Sequence, residues 1–206
     1  MRVSDTFDGL KFKSFDLYRL FGEFYKETVK NSEIIVSRGF FIAPCMEVKA
    51  ASSFLVNGTH IVKEEAIFYP SFTLNNFGFI AGRFANTRLH STTFPHFISE
   101  LFHFEKRICR FFLDVLYEHL KNRSSGGTML TDYDSIKISI AEVAANLALI
   151  DTRIPDDPFL THTLLLDTAE NLMKLSGGRA YLSHSVIDLI NLMQVLNNLY
   201  LSKEVL

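Results

Sequence analysis

The chain contains no tryptophan, and only two of its 206 residues, Cys45 and Cys109, are cysteine. They stand far apart with no Cys-x-x-Cys pair, which excludes a disulfide framework and a cysteine-built zinc site. Serine and cysteine nucleophile signatures are absent, and His60, His90, His96, His162 and His184 lack metal-ligand spacing. Positive charge is not in excess either: 21 Lys and Arg stand against 23 Asp and Glu, a formal charge of −2. Phosphate binding normally leaves a basic footprint, so neither nucleic acid nor an anionic membrane surface is expected as a partner. No apolar run approaches the roughly 20 residues needed to span a bilayer. The opening Met1-Arg2-Val3-Ser4-Asp5 lacks the apolar run of a signal peptide, so a cytoplasmic protein with free thiols is expected. What is abundant is phenylalanine, 20 residues in a chain that is 48% hydrophobic. That is ample core for one large domain, and it predicts a thick aromatic interior or a buried subunit interface.

Hydrophobic spacing predicts an amphipathic helix over 14–31, carried by Phe15, Leu20 and Phe24. Residues 33–44 are β-branched and aromatic, and 46–69 hold short apolar runs broken by Asn57-Gly58, a hairpin signal. Together they predict a small sheet. Residues 70–95, rich in Asn, Gly, Thr and Ser, read as irregular or partly helical. Four helices follow. The first, 97–122, places Phe97, Leu101, Phe104, Ile108, Phe111, Val115 and Leu116 on one side and ends before Ser124-Ser125-Gly126-Gly127. The second, 132–151, has Ile136, Ile140, Val143 and Leu147 as its stripe, with Ala141, Ala144, Ala145 and Ala148 small enough for close helix contact. The third is 159–175, and the fourth runs from about 183 to 201 with Val186, Leu189, Ile190, Met193, Leu196 and Leu199. Short loops between four helices predict an up-and-down bundle. Phe111, Phe112, Leu116 and the alanine face offer more apolar surface than one such bundle needs, which predicts an oligomer burying more than roughly 1,600 Å².

The third helix closes on Leu175-Ser176-Gly177-Gly178-Arg179-Ala180-Tyr181, a glycine pair suited to a left-handed cap with bare backbone amides. In order and spacing this segment and its surroundings resemble the C-terminal half of the acyl-CoA dehydrogenase family. That family carries Gln-Ile-Leu-Gly-Gly-x-Gly followed by Tyr or Phe, where this chain has Lys174-Leu175-Ser176-Gly177-Gly178-Arg179-Ala180-Tyr181. It also carries an Arg, then Phe-Gly, then a Gln opening a Leu-Ala-Glu-Met-Ala helix. In the same register stand Arg123, Gly126-Gly127, Asp134 and Ile140-Ala141-Glu142-Val143-Ala144. Residues 56–68 are similar to the strand that ends the family's middle domain. The resemblance covers about residues 56–201. It implies a mainly α protein, with a C-terminal four-helix up-and-down bundle over 93–206 preceded by a small α/β portion over 1–92.

The resemblance further implies FAD as cofactor, an acyl-CoA or acyl-carrier thioester as ligand, and a homodimer or hetero-oligomer with a complete homologue. Arg123, Gly177 and Gly178 would meet the FAD diphosphate, although Arg179 and Ala180 break the glycine pattern and Asp134 replaces a neutral Gln. The family's general base, a Glu that takes the substrate α-proton, falls on Leu201, and its alternative place falls on Phe97. Glu100, one turn further on, is the one nearby carboxylate. The expected Arg-Asp pair of the last helix becomes Leu192 and Met193, and the glycine-rich face of the first becomes Phe104 and Arg107. These departures imply a degenerate relative acting as a partner subunit or acyl-binding module. The alternative is an active FAD oxidoreductase that uses Glu100 or a base from another chain. Glu100 and His103 also form a Glu-x-x-His step of the di-iron type, but Glu142 and Glu170 lack a matching His, so no metal is expected.

Overall fold

The computed structural model describes residues 16–29, 33–56, 59–69, 78–84, 95–153, 157–177 and 186–201. Within them the chain forms two compact units: residues 16–97 with 196–201, and residues 98–195. No helix among the described residues is long and apolar enough to cross a membrane.

The first unit opens with α1, Leu17–Thr28, which starts where the Asp16 carboxylate accepts the backbone N–H groups of Tyr18 and Arg19. Its buried face is Leu17, Leu20, Phe21, Phe24 and Tyr25. The apolar run 33–44 is divided into two strands, β1 (Glu33–Val36) and β2 (Phe40–Pro44). The division falls at Arg38 and Gly39, both at positive φ, with Ser37 and Phe40 exchanging backbone hydrogen bonds across them. Two left-handed residues in succession are what a tight two-residue hairpin turn requires.

A short helix α2, Cys45–Ala50, precedes β3 (Ser53–Val56) and β4 (Thr59–Val62). The hairpin expected at Asn57-Gly58 is there, since Val56 pairs with Thr59, although those two turn residues lie outside the described set. β1 joins β3 in parallel, so one sheet runs β1-β3-β4.

The second sheet, β2-β6-β5, is wholly antiparallel, with β5 at Ala66–Tyr69 and β6 at Phe79–Phe84. β6 corrects the expectation for 70–95, where glycine and asparagine suggested irregular structure. Its Gly82 stands opposite Phe41 and Phe68, and the Phe41 ring fills the space a β-carbon would take. A glycine inside a strand here marks a close approach rather than a break. Rings knit this unit's core: Phe41 to Phe54 at 4.8 Å, Phe54 to Phe84 at 5.2 Å and Phe21 to Phe79 at 5.3 Å between centroids. Part of the phenylalanine excess is thus spent as predicted.

The second unit is helical. α3, Pro95–Leu120, enters it from Ile98 onward, followed by a small hairpin of β7 (Ser124–Ser125) and β8 (Thr128–Met129) turned on Gly126 and Gly127. α4 is Asp134–Arg153, α5 is Pro158–Ser176 and α6 is Val186–Tyr200. Six α-helices are thus present among the described residues, and the protein is mainly α with four long helices, as expected. The stripe on α3 is wider than the spacing suggested: Phe102, Cys109, Phe112, Leu113 and even Glu105 are buried with it. On α4 the buried residues are Val143, Leu147 and Ile150, and α4 packs on α5. Ala141, Ala144, Ala145 and Ala148 are exposed, so they do not make the close contact expected of them within this chain. Phe111, Phe112 and Leu116, expected to supply interface, are buried in the chain's own core.

Candidate functional site

The two places where the resemblance sets a catalytic base, Phe97 and Leu201, both fall in the first unit. Phe97 is 3% exposed and Leu201 is 9% exposed. The Phe97 ring meets Tyr200, the residue before Leu201, edge-on at 5.0 Å, and meets Tyr25 at 5.8 Å and Phe24 at 5.9 Å. The periodicity of α1 and the last turn of α6 deliver these rings. Two phenols anchor them. The Tyr25 hydroxyl accepts the Ile35 N–H at 3.0 Å, and the Tyr200 hydroxyl reaches the carbonyls of Ile35 and Ile42 at 3.5 Å each. The Ser37 hydroxyl donates to the Leu199 carbonyl at 2.9 Å, tying the β1–β2 turn to the same helix end.

Burial pushes the Tyr25 phenol well above its usual value, and burial followed by the neighbouring Tyr25 does the same to Tyr200. Both therefore stay protonated, and the charge of Glu47 adds to the rise at Tyr25. Tyr25 and Tyr200 were not singled out from the sequence; Tyr200 sits one residue before the base position, which is the signal that could have found it.

Glu100 stands on α3, half-buried, three residues beyond Phe97. Arg123 is exposed just after the far end of α3, its guanidinium 3.2 Å from the His119 ring. Twenty residues of helix at ~1.5 Å each put about 30 Å between Glu100 and that end, so the two cannot act on one atom. Gly177 caps α5 at φ 54, ψ −134, and nothing lies within 4 Å of where its β-carbon would be. The positive φ agrees with a glycine cap, but this ψ lies outside the left-handed helical region. Gly178 and the Arg179-Ala180-Tyr181 run lie outside the described residues. Asp134 opens α4 beside Lys137 at 3.8 Å, with its side chain 94% exposed.

Glu142 and Glu170 line an open cleft of about 480 Å³ between α4 and α5, together with Asp167, Asn146, Asn171 and Lys174. Among the described residues no three His, Cys, Asp or Glu side chains gather as a metal site. α3 also buries Glu105, only 1% exposed, one turn before Cys109. Burial pushes the Cys109 thiol up, with the Glu105 charge adding to it, so this thiol is not a nucleophile at neutral pH. Glu105 lies between Leu101 and Cys109 at steps of four, and a helical projection of α3 would have found it.

No family model matches the sequence, and no curated protein sequence matches it. Solved structures do. A steroid ACAD variant aligns at TM-score 0.60 and 10% identity, over 81% of this chain and 57% of that one. An acyl-CoA dehydrogenase from Slackia heliotrinireducens aligns at 0.55 and 11%, over 84% and 63%. An acyl-CoA dehydrogenase from Geobacillus kaustophilus aligns at 0.54 and 9%, over 80% and 59%. The likeness at this identity is one of fold, and the chain spans about three-fifths of the length of these neighbours.

Proposed function

We propose, from the premise that about four-fifths of this chain carries the acyl-CoA dehydrogenase fold, that it is a degenerate relative which does not dehydrogenate alone. It works as a partner subunit or acyl-group binding module, for an acyl-CoA or acyl-carrier thioester, in a homodimer or beside a complete homologue. One observation carries the reading: Phe97 and Leu201, the two base positions, hold buried apolar side chains, with the Phe97 ring against Tyr200. Loss of a positioned general base removes on the order of 10²–10⁴ in rate.

Arg123 and Gly177 fit the diphosphate half of FAD, since one offers an exposed guanidinium and the other a backbone open to approach. Bound FAD would supply a hydride acceptor, and these residues would hold only its diphosphate. The exposed α4 face, with Ile138 at 58% and Leu149 at 40% exposure among its alanines, supports an oligomer.

The test is the purified chain's visible spectrum after incubation with FAD and desalting, joined to dye-linked dehydrogenation of short and long acyl-CoA substrates. No retained flavin and no turnover are expected. Turnover that vanishes in Glu100→Gln would replace this reading with that of an active oxidoreductase whose base is Glu100.

A further inference from the structure

α4 buries Val143, Leu147 and Ile150 and turns a second apolar strip outward, made of Ile138, Ala141, Ala145 and Leu149. At ~100° per residue these four lie within about 80° of one another, on the side away from the buried three. Their order along the helix is large, small, small, large. Alanines at the middle let a second backbone come close, and Ile138 and Leu149 stand ready to pack at either end. Lys137 and Asp151 border the strip on one side, with side chains 56% and 59% exposed, although each has an ion pair within the chain, to Asp134 at 3.8 Å and to Lys106. Glu142 and Asn146 border it on the other side.

We propose that α4 is the twofold centre of a homodimer, its outward strip covered by the same strip of a second copy running antiparallel. Charge and size select this occupant. With the twofold axis between residues 143 and 144, Ile138 meets the partner's Leu149 and Ala141 meets the partner's Ala145, so each large side chain finds a large one and the small ones share the close approach. The same register sets Lys137 beside the partner's Asp151 and Glu142 beside the amide of the partner's Asn146. A parallel pair would instead lay Lys137 on Lys137 and Asp151 on Asp151, which like charges oppose. The antiparallel contact is isologous and closes on itself, leaving no strip free to add a third copy. This inference deepens the homodimer branch of the function proposed above and rests on it.

The test is oxidative cross-linking of single-cysteine variants of the full chain at micromolar concentration, beside light scattering of the parent. Cys109 is buried and can stay, and Cys45, half-buried, is replaced by serine. The three substituted positions are exposed, so the fold tolerates them. Ala145→Cys should cross-link to its own copy, which the register places about 4–5 Å away along the helix axis at ~1.5 Å per residue. Ile138→Cys should not cross-link to itself, because its copy stands about 16 Å along the axis, but should cross-link to Leu149→Cys when the two variants are mixed. Self-linking of Ile138→Cys would mean a parallel pair and overturn the proposal. A dimer by light scattering with neither the Ala145→Cys link nor the mixed link would overturn it too, while leaving the homodimer standing with its interface elsewhere. A monomeric parent would overturn both the register and the homodimer.

Discussion

At the scale of single residues, Gly82 and His162 make the sharpest claims. A β-carbon at Gly82 would meet the Phe41 ring and stand 2.9 Å from the Ile67 carbonyl oxygen, which is backbone and cannot swing away. Gly82→Ala should therefore destabilise the chain by about 1–3 kcal/mol, the usual cost of overpacking, measured by urea denaturation. A stability within error of the parent would show that β6 does not pair as described. His162, half-buried on α5, has its pKa lowered from 6.5 by burial. The unfolded chain then takes up its proton first as pH falls. The stability present above about pH 6.5 is lost downward from there toward the folded-state value. His162→Gln should flatten that part of the melting-temperature profile, and an unchanged slope would assign the loss to other groups.

Among the elements, the helices were legible in the sequence and the sheets less so. A buried stripe on α3 or α5 repeats every three to four residues and survives without knowledge of neighbours, so both helices emerged within two residues of their bounds. β6 was missed because Gly78 and Gly82 read as turn signals, while the partner that explains Gly82, Phe41, stands some forty residues earlier. Of the candidate site, the apolar character of Phe97 and Leu201 could be read directly. The contact of Phe97 with Tyr200, and the approach of Asp151 to Lys106, depend on contacts that spacing does not encode. The alanine face of α4, expected both to allow close helix contact and to leave apolar surface for an oligomer, is exposed within this chain. If that face joins subunits, Ala141→Arg should lower the mass seen by light scattering at micromolar concentration and leave helical content unchanged. A mass identical to the parent's would place any interface elsewhere.

For the molecule as a whole, the last turn of α6 carries a consequence for biosynthesis. Residues 196–201 belong to the same compact unit as α1 and both three-stranded sheets, and Tyr200 and Leu199 reach back to Ile35, Ile42 and Ser37. Removing residues 196–206 should therefore expose Phe97 and unfold that unit, raising dye binding and proteolysis within residues 16–97. Unaltered protection there would refute the dependence. On the ribosome the same geometry imposes a wait. Between the emergence of Phe97 and that of Leu196 lie roughly a hundred residues, or about 5–20 s at ordinary elongation rates. During that interval the aromatic interior of the earlier half stays unsealed, and its phenylalanines are available to chaperones that recognise nascent hydrophobic segments.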